Sequence, residues 1–117
     1  MQSKKFTVED KHTAKNMGSG GLDVLATPAL VAFLENVAFE DGAAHCEEGK
    51  TTVGSEMNMK HLAPTAVGSE IEVRLSDKQV SGKKLTYYLE AVEGNKQIAT
   101  ATHVRFIVDE GKFMGSL

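Results

Sequence analysis

A single cysteine, Cys46, in 117 residues rules out an intramolecular disulfide. Long apolar runs are also missing: nothing approaches the roughly eighteen consecutive residues that suggest a membrane span, and the opening MQSKKFTVED has no apolar stretch of the signal-peptide kind. These absences point to the cytoplasm, with no membrane partner. The charge balance is equally plain, with 13 Lys and Arg against 16 Asp and Glu, a net charge of -3 and no long basic run. That argues against a nucleic-acid surface and leaves small anionic ligands open. The four histidines and one cysteine show no HxxxH or CxxC spacing, so neither a metal nor a redox cofactor is expected. Gly18-Ser19-Gly20-Gly21 lacks both the GxGxxG spacing and the Lys-Ser/Thr ending of a phosphate-cradling loop, and reads instead as a flap or entrance loop.

With 41% hydrophobic and 25% charged residues, the chain has the make-up of one globular domain covering residues 1–117. A short strand is expected over residues 4–9, followed by a flexible loop through KHTAKNMGSGGLDV. Thr27-Pro28 is a helix start: the hydroxyl can cap free backbone N–H groups, and proline suits the first helical position. The helix should reach about Asp41, with Gly42 supplying a left-handed stop. Leu30, Phe33, Leu34, Val37 and Ala38 recur at helical spacing, and Ala29, Val31, Ala32 and Phe39 spread apolar character around the rest, so this helix should be wrapped.

Period-two alternation then takes over. Residues 51–61 place Val53, Ser55, Met57, Met59 and His61 on one face and Gly54, Glu56, Asn58 and Lys60 on the other. Ile71, Val73 and Leu75, then Leu85, Tyr87 and Leu89 after a turn at Ser81-Gly82, continue the pattern; Gly94-Asn95 turns into a last strand over residues 96–108. One long helix followed by four strands, with a short strand ahead, is an α+β order in which a curved antiparallel sheet encloses the helix, as in the hotdog architecture. The free edge and uncovered apolar surface of so small a unit favour dimerisation by strand pairing.

Glu35 is the anomaly in the apolar helix. A buried carboxylate must be solvated by partners or be protonated, and Thr27 and His61 are candidate partners. Taken singly, Thr27 reads as a helix cap, Glu35 as a side chain reaching a groove, His61 as a satisfied strand-end histidine, and Lys60 and Arg105 as solvated charges. Taken together, an alcohol, a carboxylate and an imidazole point to chemistry; the thioester hydrolysis that a family resemblance implies for this chain needs an activated oxygen nucleophile and oxyanion stabilisation, while the thiolate leaves with little acid assistance. Glu35 can activate water or attack directly; His61 can orient water, shuttle a proton or polarise the carbonyl; Thr27 can polarise, or attack with His61 as base. Eight helical rises put Thr27 and Glu35 roughly 12 Å apart, so direct contact between them within one subunit is not expected; a site assembled from two subunits would resolve the separation, and the sequence leaves both arrangements open.

The segments VLATPALVAFLENVA (24–38), VGSEMNMKHLAPTAVGSEI (53–71), GKKLTYYLEA (82–91) and ATATHVRFIVD (99–109) resemble the fluoroacetyl-CoA thioesterase-like branch of the hotdog acyl-CoA thioesterases. The resemblance rests on the LAT helix opening, a glutamate eight residues after that threonine, the H-x-A-P turn and a terminal strand with T-H-x-R. It implies an acyl-CoA thioesterase, with CoA present only as part of the substrate; the 6% aromatic content and the Gly-rich approach to the helix, not the resemblance, give the expectation of a short or medium acyl group. The resemblance also implies a homodimer or dimer of dimers with interfacial sites. Thr27, Glu35 and His61 take the catalytic positions, Gly54 lies near the thioester, and His103 and Arg105 line or support the CoA surface, with Lys60 a further candidate for CoA phosphate. Gly20, Gly21 and Leu22 stand where the fluoroacetate-selective enzyme looks to have bulky aromatic residues. The alternative is a noncatalytic acyl-CoA-binding or regulatory module.

Overall fold

Apolar alternation from residue 70 onward produces three long strands, β3 (Glu70–Ser81), β4 (Lys84–Glu93) and β5 (Lys96–Asp109), joined as a meander. The computed structural model describes residues 2–117 and adds β1 (Ser3–Thr7) and β2 (Lys50–His61) to make a five-stranded antiparallel sheet of order β1-β3-β4-β5-β2. The turns rest on Gly82 and Gly94, whose φ values of 60° and 59° suit glycine. A long helix packs on one face, as the hotdog arrangement requires.

That helix, α2 (Thr27–Ala43), follows a short α1 (Ala14–Met17) and buries Ala29, Leu30, Phe33, Leu34, Val37, Ala38 and Gly42. These meet Ile71, Val73, Leu75, Leu85, Tyr87, Leu89, Ala91 and Ala101 in one core. Each fully buried Leu or Val contributes about 1.5–3 kcal/mol, so this seam dominates the favourable side of folding. The opposite side of α2 is not wrapped by its own sheet: Val31, Glu35 and Asn36 are half-buried, and Ala32 and Phe39 are exposed. One sheet can cover only one side of a helix, and the remaining apolar character lies open.

Three local expectations are corrected. Ala26, extended at φ -72° and ψ 143°, is the N-cap; no side chain caps the helix, and the Thr27 hydroxyl is used elsewhere. Gly42 does not end the helix but lies inside it, without the left-handed φ of a stop, and its missing side chain serves packing: a Cβ there would sit 3.2 Å from both Thr52 Cγ2 and the Tyr87 hydroxyl. The loop before α2 is organised: a 3-10 turn at Asp10–His12 leads into α1, Thr13 Oγ1 caps it by accepting from the Asn16 N–H at 3.1 Å, and Gly18 closes it at φ 74°. A six-residue helix α3 (Glu110–Gly115), without a signal in the period-two reading, follows β5.

The facial assignment along β2 also changes, because its pairing with β5 shifts register between Gly54 and Glu56. The bulge at Ser55 inverts the alternation. Thr52 and Gly54, opposite Ile107 and Arg105, share the helix-facing side with Met57, Met59 and His61, opposite His103, Ala101 and Ala99. Val53 points away with Phe106.

Candidate active site

Thr27 and His61 are brought together by backbone pairing on both sides of them. The Leu25 N–H donates to the Thr65 carbonyl at 2.9 Å, Val24 bridges Ala66, and Lys96 Nζ donates to the Pro64 carbonyl at 2.8 Å, so the approach to α2 lies against the turn after β2. Thr27 Oγ1 is then 2.9 Å from His61 Nδ1. The other ring nitrogen, Nε2, is buried without a hydrogen-bond partner. Desolvation holds the imidazole below the usual histidine range, opposed in part by the Ala63 backbone. Beside it lies a cavity of about 230 Å³ walled by Val24, Leu25, Leu62, Ala63 and Pro64.

Glu35 belongs to a second group, eight residues and so a little over two turns farther along the helix. A Cβ on Gly54 would lie 3.1 Å from Glu35 Oε2, 3.1 Å from His103 Cε1 and 3.3 Å from Arg105 Nη1, so the missing side chain is what admits the carboxylate to the strand. Arg105 is 7% exposed, not a solvated charge. Its Nε–H donates to Thr52 Oγ1 at 2.8 Å and its Nη2–H to the Thr52 carbonyl at 3.0 Å, while Phe39 lies 5.7 Å away over the guanidinium. Burial lowers the Arg105 pKa, opposed by Glu35 and Tyr87, and the group stays a cation.

The same guanidinium fixes the protonation of His103. Arg105 Nη1 is only a donor and lies 3.1 Å from His103 Nε2, so that nitrogen accepts; Nδ1–H then donates to the Glu56 carbonyl at 2.7 Å. Burial, and after it the Arg105 charge, hold His103 below its ordinary pKa, against the backbone carbonyl and Glu35. With both ring nitrogens engaged, His103 is a neutral strut between the Ser55 bulge and Arg105.

Of the residues singled out from sequence, Thr27 joins His61, and Glu35 joins Gly54, His103 and Arg105. No hydrogen bond links the two groups within one protomer among the described residues, as the helical spacing anticipated. Lys60 faces away from both, on the outer side of the sheet in a groove of about 430 Å³ with Tyr88, Thr100 and Thr102. Thr52, which anchors Arg105, carries no site signal in the sequence; the Gly54-Ser55 pair inside a strand is the one hint of the bulge that turns it inward.

A long helix, α2, on a curved five-stranded antiparallel sheet of order β1-β3-β4-β5-β2 defines a domain of the hotdog class. A profile of the fluoroacetyl-CoA-specific thioesterase family, FlK, matches residues 8–111, and the chain belongs to that family. A fluoroacetyl-CoA thioesterase of Streptantibioticus cattleyicolor is 28% identical over 91 residues, 78% of this chain and 66% of the relative, so the match spans just under two thirds of that protein. The fold is shared with a fluoroacetyl-CoA-specific thioesterase solved with fluoroacetate and CoA, at TM-score 0.93 and 23% identity over 99% of this chain and 95% of that one. It is also shared with a thioesterase-superfamily protein of Thermus thermophilus, at TM-score 0.88 and 22% identity over 97% and 85% of the two chains.

Proposed function

We propose that the protein hydrolyses acyl-CoA thioesters of short or medium acyl length to free acid and CoA, with Thr27, Glu35 and His61 as the reacting set. The observation that carries this is the 2.9 Å contact between Thr27 Oγ1 and His61 Nδ1, with His61 Nε2 buried and unpartnered beside an apolar cavity. The lowered His61 pKa favours neutral imidazole. When Nδ1–H donates to Thr27 Oγ1, the Nε2 lone pair is free to orient water, and the threonine O–H is free to donate to a thioester carbonyl.

Glu35 takes a proton as water oxygen bonds to the carbonyl carbon; Thr27 and backbone N–H groups hold the oxyanion; the C–S bond breaks and the CoA thiolate leaves. Arg105, braced by Thr52 and His103, keeps a fixed positive charge beside the Glu35 carboxylate. Gly54 gives that carboxylate its space. The cavity beside His61, at about 230 Å³, suits a short or medium chain.

The separation of Glu35 from Thr27 and His61 supports a homodimer, or a dimer of dimers, as the active form. Among the described residues strand β2 pairs only with β5, and the uncovered side of α2 carries Ala32, Glu35 and Phe39. Pairing two copies along β2 continues the sheet and sets these helix sides against each other, so that Glu35 of one copy completes the Thr27–His61 pair of the other. A CoA ester substrate and a free Cys46 thiol fit the cytoplasm, and no helix among the described residues is long and apolar enough to cross a membrane.

The test is thiol release from a panel of acyl-CoA esters by the wild type, Glu35→Gln and His61→Ala, with folding checked for each. Turnover by the wild type that collapses in both variants supports hydrolysis and ranks the acyl groups. Binding of CoA esters without thiol release from any of them replaces hydrolysis with the noncatalytic module.

A further inference from the structure

Along α2 the large apolar side chains go to the core, with one exception. Leu30, Phe33, Leu34 and Val37 are buried, whereas Phe39 is 44% exposed. The ring is nonetheless fixed in place: its centroid lies 5.7 Å from the Arg105 guanidinium carbon, so the cation holds it against the Glu35 group. Phe39 follows Glu35 by one helical turn on the same side of α2, and it extends a stripe of Thr27, Val31 and Glu35 spaced four residues apart. The cavity beside His61 shows the complementary lack. Val24, Leu25, Leu62, Ala63 and Pro64 wall it, yet it opens to solvent: the preceding Gly18-Ser19-Gly20-Gly21 offers only a serine side chain, and Leu62 is 53% exposed. An apolar ring lacks a cover, and an apolar cavity lacks a wall.

Symmetry brings the two together. In the shared site, Glu35 of one copy meets Thr27 and His61 of the other. Continuing the sheet across β2 with both helices on one face takes a twofold axis perpendicular to the sheet. That axis makes the contact mutual and runs the helices antiparallel, so a step toward the C-terminus on one is a step toward the N-terminus on the other. Val31, midway between Thr27 and Glu35, then meets its own copy at the axis. Phe39, about 6 Å beyond Glu35, falls the same distance before Thr27 of the other copy, level with Val24 in the cavity wall. We infer that Phe39 is a specificity-determining residue: its ring, supplied by the copy that supplies Glu35, closes the open side of the acyl cavity beside His61 of the other copy and limits the chain that fits. The inference rests on the proposed hydrolysis at a shared site and adds what bounds the acyl group. A ring carried on a helix and held by a cation is a firm stop, and in an apolar pocket one methylene shifts selectivity by about 10–200-fold.

The experiment is thiol release from acetyl-, butyryl-, hexanoyl- and octanoyl-CoA by wild type, Phe39→Ala and Phe39→Trp, read as ratios of kcat/KM between esters, with the dimer checked for each. Phe39→Ala should raise the ratio of octanoyl to acetyl ester at least about tenfold, and Phe39→Trp should lower it. Equal scaling of every ester, the result of a ring that only braces Arg105 or the dimer, overturns the assignment. Refolded mixtures place the ring. With Phe39→Ala on the His61→Ala copy, which gives Glu35 to the one intact site, the profile should shift; with it on the Glu35→Gln copy, the profile should stay that of wild type. A shift in the second mixture, or no activity in either beside an active wild type, also overturns it. S-ethyl-CoA and S-octyl-CoA thioethers, which are not hydrolysed, report the same preference as calorimetric affinities. If wild type releases no thiol from any ester, hydrolysis falls and the thioether ratio decides Phe39 alone. About a tenfold shift toward S-octyl-CoA in Phe39→Ala then keeps the assignment, and an unchanged ratio ends it.

Discussion

Gly54 and Glu35 share one space: the carboxylate oxygen Oε2 lies 3.1 Å from the point where a Cβ on residue 54 would be. The glycine therefore acts on the site through what it lacks. Gly54→Ala should displace Glu35 or distort the bulge, costing about 1–3 kcal/mol of stability, as overpacking does, and lowering turnover. Urea unfolding alongside thiol release measures both. A variant as stable and as active as wild type would show that this approach imposes no constraint.

Thr27 separates a capping role from a chemical one. Since Ala26 is the N-cap and the Thr27 hydroxyl meets His61, Thr27→Val should leave the unfolding midpoint nearly in place. Turnover should fall on the order of a hundredfold, the usual cost of losing a donor to an oxyanion. Thr27→Ser should retain most of the rate. A loss of about 1 kcal/mol in stability with full activity is instead the signature of a cap.

Arg105→Lys should behave as a disruptive change. Lysine cannot reproduce the fork that reaches Thr52 Oγ1, the Thr52 carbonyl and His103 Nε2 together, and the unfilled acceptors cost about 1–3 kcal/mol. Thermal unfolding reads the loss. Kinetics should show a lower kcat as Glu35 loses its fixed neighbour.

Both His61 and His103 are held below the ordinary histidine value of 6.5, chiefly by burial. The unfolded chain then binds more protons than the folded one as pH falls below 6.5, so stability is fully present above that pH and declines beneath it. The groups around His103 are Arg105, which deepens the shift, and Glu35, which opposes it. Urea midpoints followed from pH 8 to pH 5 should be level and then fall, and His103→Gln should remove part of the fall.

The α+β order, the meander and the buried stripe of α2 were legible in the sequence because each is a local period: 3.6 for Leu30, Phe33, Leu34 and Val37, and two for Ile71, Val73 and Leu75. Thr27, Glu35 and His61 were legible as residues out of place or at element ends. What escaped depends on nonlocal register. The bulge at Ser55 is set by pairing with β5, and it alone decides that Thr52 and Gly54 face inward. Gly42 carries a stop signal in isolation, yet Thr52 and Tyr87 crowd its position and the helix continues through it. The burial of Arg105 was hidden for the same reason, since its partner Thr52 lies 53 residues away in the chain.

The most direct measurement mixes Glu35→Gln and His61→Ala proteins, each inactive alone, after unfolding and refolding them together, and follows thiol release from the best acyl-CoA. If a site draws Glu35 from one copy and Thr27 with His61 from the other, half the dimers are mixed and each has one intact site of two. Activity should then return to about a quarter of the wild-type value. A mixture that forms mixed dimers yet stays inactive, beside an active wild type, would place the reacting groups within one protomer and contradict the shared site.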